Sequence, residues 1–241
     1  MDRWVDKVAI VTGASAGIGL AICQKLVQAG VRVVGLARRA ELIDAAAQEL
    51  SGEKGKLYAV KCDMSKEQDI IDAFAWTMAN VGHVSILINN AGVAQQTTLI
   101  DGETEKWKDT LDVNVLGLCI ATREAVKSMR DSCIDGHIVH INSILGHKVF
   151  FLPTANVYPA TKHAVTALTE SLRFELNSLK SKIKVTSVSP GLVATDLIAR
   201  LPAGLPTLQA TDVADAVLYV LSTPPHVQIQ ELTIKPLNEE F

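Results

Sequence analysis

Short, almost wholly apolar runs rich in β-branched residues recur along this chain, separated by longer segments of helical period, and that alternation leaves few folds open to it. The runs lie at residues 8–11, 31–36, 57–61, 86–89, 137–141, 183–188 and 227–234. A strand with one wet face would alternate apolar and polar side chains; continuous apolar runs are those of parallel strands covered by helices on both faces. Helical segments fill the gaps at 17–29, 40–50, 67–79, 103–129, 154–179 and 212–221, the last with Thr211 as its expected N-cap. The pattern is that of successive βαβ units. It predicts one α/β domain spanning 1–241, a Rossmann-type doubly wound sheet of seven mostly parallel strands flanked by helices. A chain of 241 residues, 48% of them hydrophobic, has enough apolar material for one such core. The segment 192–210 carries Pro202, Gly204 and Pro206 and reads as a loop with one helical turn, placed to serve substrate.

Charge and cysteine usage exclude several functions. A formal net charge of −3 gives no general attraction to nucleic acid or to an anionic membrane, so any anion site must be local. No apolar stretch has the length of a membrane span or the form of a signal peptide, which predicts a cytoplasmic protein without membrane insertion. Cys23, Cys62, Cys119 and Cys133 lack paired spacing and read as reduced thiols. His137, His140, His147 and His163 lack the spacing of a zinc motif, and no metal is expected.

The first strand runs into Thr12-Gly13-Ala14-Ser15-Ala16-Gly17-Ile18-Gly19, and the first helix opens at Gly17. A glycine-rich turn there aims backbone N–H groups and the positive end of a helix at a bound pyrophosphate. The spacing differs from Gly-x-Gly-x-x-Gly, and a tight turn without ligand is the alternative. At the end of the second strand, where an NAD site keeps a carboxylate for the ribose 2′-hydroxyl, stand Ala37, Arg38 and Arg39. Two guanidiniums without a carboxylate suit a 2′-phosphate, so NADP is the expected cofactor unless both arginines are merely solvated. Farther along, Tyr158 and Lys162 stand four residues apart, on one helical face. A fixed cation beside a phenol favours phenolate and readies the hydroxyl for proton exchange near neutrality.

Taken in order, Thr12-Gly13-x-x-x-Gly17-Ile18-Gly19, Asn89-Asn90-Ala91-Gly92, Asn114, Ser143, Tyr158-x-x-x-Lys162 and Pro190-Gly191 resemble the signature set of the short-chain dehydrogenases/reductases over nearly the whole chain. Met1-Asp2-Arg3-Trp4, the segment 119–125 and the segment 219–229 are similar to the cytosolic branch that contains insect farnesol dehydrogenases and a vertebrate keto-reductase. The resemblance implies a catalytic tetrad. Tyr158 would exchange the proton with the substrate oxygen, Lys162 would lower the Tyr158 pKa and hold the nicotinamide ribose, and Ser143 would hydrogen-bond the substrate oxygen. Asn114 would hold open a helix backbone for a water that relays protons to Lys162. It also implies a cofactor site formed by Gly13, Ser15, Gly17, Ile18 and Gly19, with Arg38 and Arg39 at the 2′-phosphate and Asp63 at the adenine amine. Asn90, Ala91 and Gly92 would line the adenine ribose, and Pro190, Gly191, Val193 and Thr195 would hold the nicotinamide carboxamide. The implied partners are a small lipophilic alcohol or carbonyl and further copies of the chain in a homodimer or homotetramer.

Read alone, Ser143 has the alternative of a strand-end turn residue and Asn114 that of a helix-kink residue, and both alternatives weaken once Tyr158 and Lys162 are read with them. Ser143 precedes Tyr158 by fifteen positions, long for the family, so residues 144–157 are expected to form an enlarged substrate loop; Asn142 is the adjacent polar substitute for Ser143. Leu145, Val149, Phe150, Phe151 and Leu152 would supply that loop with an apolar wall, or else pack in the core.

Overall fold

The computed structural model of the protein describes residues 1–150, 156–198 and 204–239. Among them seven strands form one sheet in the order β3-β2-β1-β4-β5-β6-β7, every pairing parallel. The strands are β1 Val8–Thr12, β2 Arg32–Ala37, β3 Lys56–Lys61, β4 Val84–Asn89, β5 His137–Ile141, β6 Lys184–Pro190 and β7 Glu231–Ile234. Residues of β1, β4, β5 and β6 are buried throughout, as the apolar runs require.

Helices cover both faces. On one, α1 Gly17–Gln28, α2 Ala40–Glu49 and α7 Ala210–Ser222 pack Ile22, Leu26, Ile43, Val217 and Leu221 against Ala9, Val11, Ile86 and Ile88. On the other, α3 Glu67–Asn80, α5 Gly117–Asp131 and α6 Val157–Ser178 pack Ile70, Phe74, Ala121, Met129 and Leu176 against Val8, Ile10, Leu87 and Ile138. Successive residues of a strand thus feed two separate cores, because strand side chains alternate between faces. Trp4 closes the first core, its indole N–H donating to Leu221 O at 2.8 Å.

The elements depart from expectation in three places. The segment 103–129 is not one regular helix: α4 Thr104–Leu111 passes through a π turn at Asp112–Leu116 before α5 begins. Only Glu231–Ile234 of 227–234 is strand, because the Gln228 side-chain oxygen, in place of a main-chain carbonyl, accepts from Val185 N at 3.0 Å. Helix α7 starts at Ala210 with Gln209, not Thr211, at its N-cap, and Asp212 accepts from Gln209 N at 2.8 Å. Within 192–210, one turn of 3-10 helix forms at Asp196–Ile198, as expected; residues 199–203 lie outside the described residues.

Candidate active site

Strand β1 pairs with β2 on one side and β4 on the other, so the crossovers leave it in opposite directions and a crevice opens at its carboxyl end. The chain turns there on Gly13 and Gly17, at φ 67° and 55°, conformations that cost other residues free energy. Space is equally restrictive. A Cβ on Gly13 would come within 2.9 Å of Ala91 Cα, and one on Gly19 within 2.3 Å of Gly13 O. Thr12, which sequence reasoning did not place in the site, ties the two loops: its hydroxyl accepts from Asn90 N and Ala91 N, both at 3.0 Å. The Asn90 amide donates back to Thr12 O at 2.9 Å and Gly13 O at 3.2 Å, which fixes its side chain on the glycine turn.

These loops wall a cleft of about 490 Å³. Of the expected cofactor residues, Gly13, Ser15, Gly17, Ile18, Arg38, Arg39, Asp63, Asn90, Ala91, Gly92 and Thr195 line it. Gly19 sits behind the turn. Pro190, Gly191 and Val193 are not in the lining but form the strand end and loop stem that lead to Thr195, whose Cγ2 would stand 3.2 Å from a Cβ on Gly17. Leu36, Met64 and Val113 complete the walls; as apolar residues in apolar runs, nothing in the sequence separated them from the core. Arg38 and Arg39 are exposed beside buried Ala37. Burial alone would raise the Asp63 carboxyl, but hydrogen bonds from Ser65 N and Oγ, with the charges of Arg38 and Lys66, hold it below its ordinary value.

Helix α6 brings the second group to the same end of the sheet. Lys162 is 5% exposed, donates from Nζ to Ile141 O at 2.8 Å, and stands 5.6 Å from the Tyr158 ring centroid. Burial lowers the lysine amine to about 8. Burial also pushes the Tyr158 phenol above its ordinary value, which corrects the expectation that Lys162 lowers it: in this arrangement desolvation outweighs an ammonium aimed at a strand carbonyl. Asn114 lies in the π turn, with Oδ1 accepting from Val93 N at 2.8 Å and Nδ2 donating to Val93 O at 2.9 Å and Thr161 Oγ1 at 3.1 Å. Thr161 in turn donates to Tyr158 O at 2.7 Å. Asn114 therefore joins the strap after β4 to the helical turn carrying Tyr158 and Lys162. Thr161 is the link that the sequence reading passed over; its position beside Lys162 was the available signal.

Ser143 extends from β5 and is 8% exposed. Its oxygen accepts from Leu145 N at 3.1 Å, capping the short turn Ile144–Gly146, so it serves as a turn residue while its hydroxyl hydrogen stays available. Asn142 instead donates to Thr166 Oγ1 at 2.9 Å, directed into α6. The expected apolar wall is divided: Leu145 is buried, Val149 is 71% exposed, and Phe151 and Leu152 lie outside the described residues. The first part of that loop is packed down, with Gly146 O accepting from Thr166 Oγ1 at 2.9 Å and His147 Nε2 3.1 Å from Ser189 Oγ.

A family model described as short chain dehydrogenase matches residues 7–205, a span that includes the glycine turn, Tyr158 and Lys162. The chain belongs to the short-chain dehydrogenase family. This dehydrogenase is 51% identical over 245 residues to the farnesol dehydrogenase of Aedes aegypti, covering 100% of both chains. It is 45% identical over 253 residues to dehydrogenase/reductase SDR family member 11 of Homo sapiens, covering 99% of this chain and 97% of that one. Among solved structures, a short-chain type dehydrogenase/reductase from Mycobacterium marinum superposes with a TM-score of 0.89 at 26% identity, over 96% of this chain and 95% of that one. The closed form of a serine dehydrogenase complexed with NADP+ gives 0.84 at 29% identity, over 97% and 96%. The dehydrogenase is thus an oxidoreductase related to the farnesol dehydrogenase branch.

Proposed function

We propose that this dehydrogenase interconverts lipophilic alcohols and carbonyls, farnesol and farnesal among them, with NADP(H) as cofactor. The observation that carries the reading is the link through Asn114, which joins Val93, in the wall of the cleft that holds Ala37, Arg38 and Arg39, to the helical turn carrying Tyr158 and Lys162. What supports a dinucleotide is the Gly13–Gly17 turn, which lines the cleft and opens into the N-terminus of α1, with no carboxylate at residues 37–39 to repel a 2′-phosphate. The relatives support the substrate class, since one is named a farnesol dehydrogenase.

NADP(H), when bound, supplies or accepts the hydride. The chain's own residues handle the proton and the oxygen. In reduction Tyr158 Oη gives its proton to the carbonyl oxygen as negative charge develops there, and Ser143 Oγ donates a hydrogen bond to the same oxygen. Lys162, whose amine near 8 holds a proton at neutral pH, passes it on to the phenolate that Tyr158 becomes when it gives up its own. Asn114 fixes the π turn, where widened main-chain bonding leaves room for a water that returns a proton to Lys162. In oxidation the transfers run in reverse.

We further propose a homodimer or homotetramer that meets at the groove between α5 and α6, about 730 Å³, where Leu118, Val126, Leu168 and Leu172 lie among charged Arg123, Lys127, Arg130, Asp131 and Glu175. We also propose a cytoplasmic location; among the described residues no helix is long and apolar enough to cross a membrane. The deciding experiment mixes purified protein with farnesol and NADP+ and follows the absorbance of reduced cofactor. Turnover of farnesol, or of ketones with NADPH in reverse, is the expected result; a flat trace in both directions would sink the reading.

A further inference from the structure

Glu239 belongs to the tail after β7 and was not singled out by any sequence motif. Its side chain is only 1% exposed, unusual for a carboxylate so near a chain end. Oε1 accepts from Leu192 N at 2.9 Å, and Oε2 stands 3.4 Å from Lys235 Nζ in an ion pair that lacks hydrogen-bond geometry. The carboxylate lies against Gly191: a Cβ there would meet Oε2 at 2.4 Å, with Cδ and Oε1 at 2.9 Å its next neighbours. Gly191 N donates to Ile234 O at 2.8 Å, so both amides that follow Pro190 are held by β7 and its tail. From Leu192 the restraint continues. Leu208 N donates to Leu192 O and Ala194 N to Leu208 O, both at 2.8 Å, closing the loop between them at its base, and Thr195 then abuts Gly17 at the cofactor turn.

We propose that Glu239 is a positioning residue of this enzyme: its carboxylate clamps the chain at Gly191 and Leu192, and so sets where Thr195 stands against the glycine turn in the wall of the cleft. The role in turnover rests on the proposed NADP(H) chemistry; the clamp itself does not. A buried carboxylate accepting a main-chain N–H is costly to bury unless it is used, and here the one amide it engages is the first of the loop.

The test compares the full chain with Glu239→Ala and Glu239→Gln by amide hydrogen exchange, by kinetics with farnesol and NADP+, and by binding of 2′,5′-ADP, which occupies only the Arg38 half of the cleft. Removing the acceptor should speed exchange at the Leu192 and Leu208 amides about tenfold or more while α1 and β4 keep their protection. It should raise KM for farnesol or lower kcat by about tenfold and leave 2′,5′-ADP affinity unchanged. Glu239→Gln keeps an oxygen acceptor and should restore most of both properties. Unaltered exchange at Leu192, acceleration spread evenly over the chain, or a Gln variant as impaired as Ala would each overturn the clamp. Should Glu239→Ala fail to fold, Glu239→Asp, with its reach one methylene shorter, must show the same localised acceleration. A parent that turns over no substrate overturns the proposed function alone, because the exchange measurement still decides the clamp.

Discussion

The glycine turn and the segments around Tyr158 and Pro190 are held by different means. At the glycine turn, main chain packs on main chain: Gly13 against Ala91, Gly19 against Gly13 O, with the Thr12 hydroxyl between the loops. Around the proposed substrate end, side chains from distant segments pin loops: Thr166 on Gly146, His147 beside Ser189, Glu239 on Leu192. The first construction tolerates almost no change of residue and presents a fixed row of N–H groups. The second is adjustable, since each pin is one hydrogen bond whose replacement moves a loop without unmaking the sheet.

The comparison makes the substrate end the place where chemistry alone can be removed. Tyr158→Phe keeps the ring beside Lys162 and deletes the proton donor, so activity should fall ~10²-fold or more while 2′,5′-ADP binds as before. A variant within a few-fold of the parent in steady-state kinetics would show that another group gives the proton. At the cofactor end, Arg38→Ala should erase most of an NADPH preference that a charge-assisted pair makes worth ~1.5–3 kcal/mol, about 10- to 100-fold in the ratio of specificity constants. Kinetics with NADPH and NADH, parent against variant, measure it; a parent that already prefers NADH contradicts the assignment.

Stability probes the same contrast. Gly19→Ala forces a Cβ to within 2.3 Å of Gly13 O and 2.5 Å of Asn90 Nδ2, and should cost ~1–3 kcal/mol in denaturant unfolding together with loss of 2′,5′-ADP binding. Gly52→Ala, which meets nothing within 4 Å, is the control and should unfold with the parent. The last probe is the acid response of β5, whose size grows as the pH falls. His137 and His140 are buried beside Thr186 and Thr169, and desolvation, with Lys184 and Arg3 near the first and Lys162 and Arg173 near the second, lowers each imidazole to about 3. Below about pH 6.5 the unfolded chain takes up protons that the folded chain refuses, so stability should fall with falling pH toward 3, by at most ~1.4 kcal/mol per pH unit for each histidine. Urea melts from pH 7 to pH 4 check this: replacing both histidines with glutamine should flatten the profile, and an unchanged slope would assign the loss to other groups.

The strands, the turn at Gly13–Gly19 and the pair Tyr158–Lys162 were legible because each is a local pattern, fixed by residues within a few positions of one another. The same reading put the N-cap of α7 at Thr211 and extended the last strand back to residue 227, since Gln209 and Gln228 act through side chains that no periodicity reveals. It also had Lys162 lower the Tyr158 pKa. That inference used the spacing of the two residues, whereas the outcome depends on burial and on the strand carbonyl to which the ammonium turns.

By itself the sequence determined a parallel α/β sheet, the site of its glycine turn and the family to which the chain belongs, because hydrophobic period and short motifs are properties of neighbouring residues. Only the tertiary structure decided which distant groups meet: Thr12 with Asn90, Asn114 with Thr161, Glu239 with Leu192. Those contacts join segments separated by 78, 47 and 47 positions, and a hydrogen bond between such segments exists only after the sheet has brought them within reach.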